Sequence, residues 1–292
     1  MRLTGKGRIA SVIGWPVSHS VSPALHGFWL EQYDIDGVVV PMAIRPEDFE
    51  TCLRVLPKTG LLGTWITLPH KETAFHLCDH VDEAARQIGA VNTLAFEDGS
   101  LQGFNTDGYG FIENVKAQHR SFDFAGCEAG LLGAGGAARS IAHALIQAGC
   151  SRIRIANRTA ERAQTLKRDF QQEPGADHAE TAIELAEWSD QPDWFAGLDI
   201  LINTTSLGMI GQSPLRIDLT SLPPHTLVCD IVYNPLVTAL LKSAERRGNP
   251  VCTGIGMLIH QGRPGFKRFF GLDPQPSQTL EQTLVDMVGT AQ

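Results

Sequence analysis

Two residues in the first part of the chain have the types and settings for proton transfer to a reacting oxygen. Lys71 follows Pro69 at the end of the apolar run Leu61–Leu68, and Asp107 lies in the glycine-flanked turn Asn105-Thr106-Asp107-Gly108. An ammonium beside a carboxylate can polarise a carbonyl and relay a proton to it. Taken singly, each residue has a plainer reading. Lys71 would be a solvated lysine opening a helix, and Asp107 the N-cap of a helix from Gly108. Capping and catalysis do not exclude each other at Asp107. Were the reaction a carbonyl reduction it would also need a hydride donor, and the second half of the chain has a place for one.

Gly133-Ala134-Gly135-Gly136-Ala137-Ala138 follows the apolar run Leu131-Leu132 and precedes the helical pattern Ser140–Ala148. This is a G-x-G-x-x-A fingerprint in the strand–loop–helix setting that dinucleotide binding requires. Gly133 permits the tight turn and Gly135 the approach of a pyrophosphate. Ala138 keeps helix and strand close, and the helix N-terminus adds N–H groups and positive potential. An NAD-binding chain would usually carry Asp or Glu at the end of the next strand. Here the residues are Ala156-Asn157-Arg158-Thr159-Ala160-Glu161-Arg162. Without the carboxylate a 2′-phosphate is not repelled, and two guanidiniums attract it. The expected cofactor is NADP.

The bulk composition narrows the partners. With 292 residues, 43% of them hydrophobic, two domains are the default. The net charge of −8 and the lack of a long basic run argue against nucleic acid. No stretch approaches the ~20 apolar residues that span a bilayer, and Gly14, Pro16, Ser18 and His19 interrupt the N-terminus where a signal peptide would continue. Six scattered cysteines without a C-x-x-C pair read as reduced thiols in a cytoplasmic protein. The histidines show no H-x-x-x-H or H-E-x-x-H pairing, so no metal is expected. His19 and His26 read as structural hydrogen-bonders, and Trp188 and Trp194 as packing residues.

The elements that must position these groups alternate between strand and helix, the pattern of an α/β protein with parallel sheets. Strands are expected at Ile9–Ile13, Val38–Met42 and Leu61–Leu68, with helices at Pro23–Leu30, Pro46–Leu56, Lys71–Cys78 and Val81–Ile88. Ala90–Phe96 and Leu101–Gly103 form a hairpin turned by Asp98-Gly99. A helix at Gly108–Gln118 leads to strands at Ala129–Leu132, Arg152–Ala156, Asp199–Asn203, Leu227–Ile231 and Pro250–Thr253. Gln171–Asp193 is irregular around a short helical pattern at Thr181–Trp188. The helices Gly256–Phe270 and Thr279–Val288 close the chain. The expected domains are residues 1–106, completed by 256–292, and residues 107–255.

Several clusters resemble the shikimate dehydrogenase family. They are Gly14-Trp15-Pro16-Val17-Ser18-His19-Ser20-Val21-Ser22-Pro23, Thr67-Leu68-Pro69-His70-Lys71-Glu72, Gly89-Ala90-Val91-Asn92-Thr93 and Asn105-Thr106-Asp107-Gly108. Asn157-Arg158-Thr159 with Arg162, Asn203-Thr204-Thr205-Ser206-Leu207-Gly208-Met209, Asp230-Ile231-Val232-Tyr233-Asn234-Pro235 and Gly254-Ile255-Gly256-Met257-Leu258-Ile259-His260-Gln261 continue the series in family order. The resemblance implies an N-terminal substrate domain, a Rossmann-type NADP domain and an active-site cleft between them. It implies a 3-dehydroshikimate/shikimate interconversion with Lys71 and Asp107 as the acid–base pair. Ser20 and Ser22 would hold the substrate carboxylate, with Tyr233 near it. Thr67, Lys71, Asn92, Asp107 and Gln261 would surround the ring hydroxyls and the reacting oxygen. Thr204 and Ser206 would join the cofactor site, with Gly254 and Met257 beside the nicotinamide. The expected partners are a small-molecule substrate and, as a candidate assembly, a second copy of the chain. Oligomeric state is not visibly encoded.

Two alternatives stay open: a paralogue acting on quinate, an amino analogue or another ring polyol, and a non-catalytic module sensing the same ligands. One departure bears on the first. Where the family commonly has Asn-Val-Thr, this chain has Trp65-Ile66-Thr67. Trp65 and Thr67 are two apart on an expected strand and so share a face. If Thr67 touches substrate, Trp65 should border the pocket; the alternative is that it packs aside under a neighbouring loop.

Overall fold

The computed structural model describes residues 3–172, 181–189 and 192–290. The chain divides into two compact units, Met1–Asp107 with Leu258–Met287 and Gly108–Met257 with Val288–Gln292. The divisions fall after Asp107 and Met257 rather than after Thr106 and Ile255.

In chain order the first unit contains β1 (Arg8–Gly14), α1 (Ser22–Gln32), β2 (Gly37–Ala43), α2 (Phe49–Val55), β3 (Gly63–Ile66), α3 (Lys71–Leu77), β4 (His80–Val81), α4 (Glu83–Ile88), β5 (Thr93–Glu97) and β6 (Ser100–Phe104). Its sheet runs β2-β1-β3-β5-β6-β4. The sheet is mixed, not parallel throughout, because β5 pairs antiparallel with both β3 and β6. The cause is local. Asp98 and Gly99 both have positive φ, 51° and 79°, the geometry of a two-residue hairpin turn.

Three other expectations need correcting here. The helix expected at Pro46–Leu56 is α2 between two short 3-10 turns, with Phe49 and Leu53 buried. The segment Val81–Ile88 gives its first residue to β4 before α4 starts behind the N-cap Asp82, whose side chain accepts from Ala85 N. The strand Leu61–Leu68 shortens to β3.

The remaining elements are α5 (Asp107–Gln118), β7 (Glu128–Leu132), α6 (Gly136–Gln147), β8 (Arg152–Ala156), α7 (Ala160–Gln172), β9 (Ala182–Ala186), β10 (Ile200–Asn203), β11 (Leu227–Asp230), α8 (Ala239–Arg247), β12 (Val251–Cys252), α9 (Ile255–Phe270) and α10 (Gln278–Thr290). The second sheet is parallel, in the order β12-β11-β10-β7-β8-β9. That is the doubly wound dinucleotide-binding order, with a topological switch between β7 and β10. Its continuous apolar runs are buried on both faces, as such a sheet requires. Leu131, Ile200 and Ile202 enter one core cluster, while Leu132 and Leu201 enter another.

The helical pattern expected at Thr181–Trp188 is instead the edge strand β9. Ala, Glu and Leu favour a helix, but pairing with β8 wins. Ile183 enters the core, and Glu184 lies 3.6 Å from both Arg152 and Arg154. Residues 173–180, 190 and 191 of the irregular stretch lie outside the described residues.

Candidate active site and dinucleotide cradle

The first cluster is built by three chain segments of the first unit. His70 precedes α3, stacks on Phe49 at 4.2 Å and hydrogen-bonds through its ring to the Ile44 carbonyl. Burial pushes its imidazole pKa below the ordinary value, partly offset by that carbonyl. The helix then starts at Lys71, whose carbonyl accepts from Val91 N at 3.0 Å. From this braced position Lys71 Nζ donates to Asp107 Oδ2 at 2.5 Å. The lysine side chain is 16% exposed and the aspartate 2%. The pair is therefore open on the ammonium side only.

Asn92 fixes the other carboxylate oxygen. Its Nδ2 donates to Asp107 Oδ1 at 2.8 Å and to Thr106 Oγ1 at 3.0 Å. Its Oδ1 accepts from Thr106 N and Thr93 Oγ1. All four hydrogen-bonding positions of the amide are thus engaged. Thr106 Oγ1 donates onward to the Gln261 carbonyl at 2.8 Å. Asp107 is the first residue of α5 rather than the residue before it, and its backbone N–H donates to Asn105 Oδ1.

Around this core lie side chains with hydrogen-bonding capacity to spare. Thr67 and Gln261 are half-buried, and no described residue bonds their side-chain polar atoms. Ser20 and Ser22 stand at the start of α1, joined by a 3.3 Å bond from Ser22 N to Ser20 Oγ. No hydrogen bond links them to the Lys71 cluster among the described residues. Tyr233 belongs to the second unit.

In the second unit Gly133 has φ +117°, and a Cβ there would lie 2.6 Å from Thr204 Oγ1. Gly135 caps α6 with no side-chain bond, and nothing lies within 4 Å of where its Cβ would be. The loop offers bare helix-end N–H groups facing open space, which fits a pyrophosphate. Ala138 is fully buried in the core beneath. Asn157 Nδ2 donates to the Thr159 carbonyl, shaping the turn after β8. Arg158 and Arg162 are exposed, and neither guanidinium bonds a described residue. That leaves two guanidinium forks free to take an anion. Among the described residues no three His, Cys, Asp or Glu side chains are grouped to hold a metal, and no helix is long and apolar enough to cross a membrane.

Comparison with known proteins bears directly on this arrangement. Residues 12–94 match the model of the shikimate dehydrogenase substrate binding domain, and 115–207 that of shikimate / quinate 5-dehydrogenase. A protein of Paramagnetospirillum magneticum named shikimate dehydrogenase (NADP(+)) is 50% identical over 95% of this chain and 98% of its own. The chain belongs to the shikimate dehydrogenase family. Among solved structures, shikimate 5-dehydrogenase of Thermus thermophilus in complex with NADP(H) and shikimate is 33% identical, with TM-score 0.82 over 96% of this chain and 99% of that one. Ligand-free 5-ketofructose reductase of a Gluconobacter strain is 31% identical, with TM-score 0.86 over 97% and 100%.

The structure also places Trp65. Its ring is 7% exposed, stacked on His26 at 3.7 Å and edge-on to Phe269 at 4.7 Å. Ile66, its neighbour on β3, enters the opposite core with Ile13. The assigned strand ends at Ile66, although Thr67 N still donates to the Ile13 carbonyl at 2.9 Å. Trp65 packs aside, under α9 rather than under a loop. His26 is likewise a stacking residue, not the hydrogen-bonder expected: its Nδ1 has no partner. Thr106 and His70, which hold the Lys71 cluster together, went unnoticed in the sequence. Both sit inside family-like motifs, Asn105-Thr106-Asp107-Gly108 and Thr67-Leu68-Pro69-His70-Lys71-Glu72, and that is the one signal the sequence offers.

Proposed function

We propose that the chain is an NADP-dependent shikimate dehydrogenase, reducing 3-dehydroshikimate to shikimate in the biosynthesis of chorismate and aromatic amino acids. The observation that carries this reading is the 2.5 Å Lys71–Asp107 pair, held from behind by Asn92 and open at the ammonium. When bound, NADPH supplies the hydride that adds to C3 of the substrate. Lys71 Nζ gives a proton to the C3 oxygen as negative charge develops there, and solvent restores the ammonium. Carbonyl, hydride and proton sum to the secondary alcohol. Asp107 keeps the ammonium aimed and charged.

Ser20 and Ser22, at an uncapped helix N-terminus, suit the substrate carboxylate. Thr67 and Gln261 suit ring hydroxyls. Asn92 reaches one only by giving up a bond to Thr106 or Asp107. Tyr233 is assigned to the carboxylate end. The loop Gly133-Ala134-Gly135-Gly136-Ala137-Ala138 takes the pyrophosphate. Asn157, Arg158, Thr159 and Arg162 take the 2′-phosphate, and Thr204, Ser206, Gly254 and Met257 the nicotinamide side. Free thiols at all six cysteines and use of NADPH suit a cytoplasmic enzyme. A homodimer is the candidate assembly, and light scattering tests it.

A second reading, a paralogue acting on quinate or another ring polyol, is favoured by the similarity to 5-ketofructose reductase. NADPH oxidation with a panel of ketones separates the two. Specificity constants highest for 3-dehydroshikimate are expected. A preference for 5-ketofructose or dehydroquinate would replace the first reading, and oxidation of none would leave a ligand-sensing module.

A further inference from the structure

One buried acid takes no part in the reaction above. Asp230, the last residue of β11, is 2% exposed, and all its partners are donors. Its Oδ1 accepts from Asn203 Nδ2 at 2.9 Å and Val232 N at 3.0 Å, and its Oδ2 from Thr238 Oγ1 at 2.7 Å. Val232 and Thr238 bound one loop, and Asn203 lies on the neighbouring strand. Asn203 ends β10 and uses its own Oδ1 to hold the N–H and hydroxyl of Thr205, while Thr205 Oγ1 accepts from Leu207 N. Thr238 is the N-cap of α8, and Val232 opens the loop to Pro235. On the other side, a Cβ on Gly254 would meet the carbonyls of Ile231 at 2.5 Å and Asp230 at 2.8 Å.

We infer that Asp230 is a positioning residue for the nicotinamide side of the cofactor site, setting the Thr204–Leu207 turn and the Val232–Thr238 loop from beneath. The inference rests on the NADP reading above. The chain of contacts is continuous. Asp230 holds Asn203, and Asn203 shapes the turn that carries Thr204 and Ser206. Thr204 donates to the Leu132 carbonyl beside Gly133, at the switch point of the sheet. Burial pushes the Asp230 carboxyl up to about 6, with the three donors pulling it back. A group so costly to bury is retained here by its hydrogen bonds, and its acceptors matter more than its charge.

That distinction supplies the test. NADPH dissociation constants are measured by nucleotide fluorescence, without substrate, for the unmutated chain, Asp230→Ala and Asp230→Asn. Asp230→Ala should weaken NADPH about tenfold, the ~1.4 kcal/mol scale of one lost hydrogen bond, while KM for the ring substrate changes less. Asp230→Asn should restore binding to within about threefold, because its oxygen still accepts from Val232 and Asn203 while its NH2 turns to Thr238 Oγ1. Unchanged NADPH binding in a folded Asp230→Ala would overturn the inference. Failure of Asp230→Asn to rescue would overturn it too. If Asp230→Ala does not fold, Thr238→Val removes one arm: a few-fold weaker binding supports the inference, and equal binding ends it. No NADPH binding by the unmutated chain would overturn the cofactor reading itself, and the inference with it.

Discussion

At the scale of single residues, the chemistry depends on how few bonds Lys71 makes. An ammonium has three donors, and one is spent on Asp107. The rest are free to meet an oxygen whose charge grows along the reaction. Lys71→Ala should therefore lower kcat by about 10²–10⁴ with a smaller change in KM, since the contact strengthens toward the transition state. Steady-state rates of NADPH oxidation check this, and near-normal turnover would remove lysine from the mechanism. Arg158 and Arg162 are proposed to act on the cofactor instead. Replacing both by Ala should lose most of the preference for NADP over NAD, at ~1.5–3 kcal/mol per charge-assisted contact. Equal kcat/KM for both cofactors in the unmutated chain would refute the assignment. These residues were legible because each stands in a short linear motif. Thr106, His70 and Asp230 stand in motifs as well, but their bracing roles are not legible there, because they come from partners 14 to 155 positions away.

At the scale of elements, most strands and helices follow from apolar periodicity, and the misreadings mark places where tertiary contacts override it. β9 reads as helix because its residues favour one, and only its pairing with β8 makes it a strand. Trp65 is the sharper case. A Cβ on Gly265 of α9 would lie 2.4 Å from Trp65 Nε1, so the indole and the glycine are matched. Gly265→Ala should cost ~1–3 kcal/mol through overpacking, read by urea unfolding. Trp65→Asn should cost ~3–5 kcal/mol rather than improve turnover, because it opens a cavity among aromatic rings and buries an amide. His26, stacked on that indole, adds a pH dependence. Burial holds its imidazole at about 3 against an ordinary 6.5, so the folded state keeps it neutral where the unfolded chain protonates. The unfolded state then binds more protons below about pH 6.5, and stability falls with pH down to about 3 at ~1.4 kcal/mol per unit. Between pH 7 and 5 the unmutated chain should lose ~2 kcal/mol more than His26→Phe, which keeps the stack without the titration. Parallel losses in the two proteins would show that His26 does not carry this slope.

At the scale of the whole molecule, a chain of net charge −8 is assigned two anionic ligands, a ring carboxylate and a phosphorylated dinucleotide. Overall charge works against both, so affinity must come from local groups: Lys71 and the α1 N-terminus in one unit, and Arg158, Arg162 and the α6 N-terminus in the other. The field of distant charges is screened within ~8 Å at physiological salt, so such local groups can prevail. Each unit also has a core of its own, so each can open separately, and a ligand held by one should stabilise that one. At a hundredfold excess over its dissociation constant a ligand adds ~2.7 kcal/mol to the unit that binds it, or about a hundredfold in amide protection. NADP alone should slow hydrogen exchange in β7, α6 and β10 and leave β1 and β3 nearly unchanged. Shikimate alone should do the reverse, most strongly at α3, at Val91 and Asn92, and at the first turn of α5. Mass-spectrometric exchange with each ligand separately reads this. Shikimate protection confined to the second unit would contradict the substrate assignment, and uniform protection by either ligand would mean that the two units open as one.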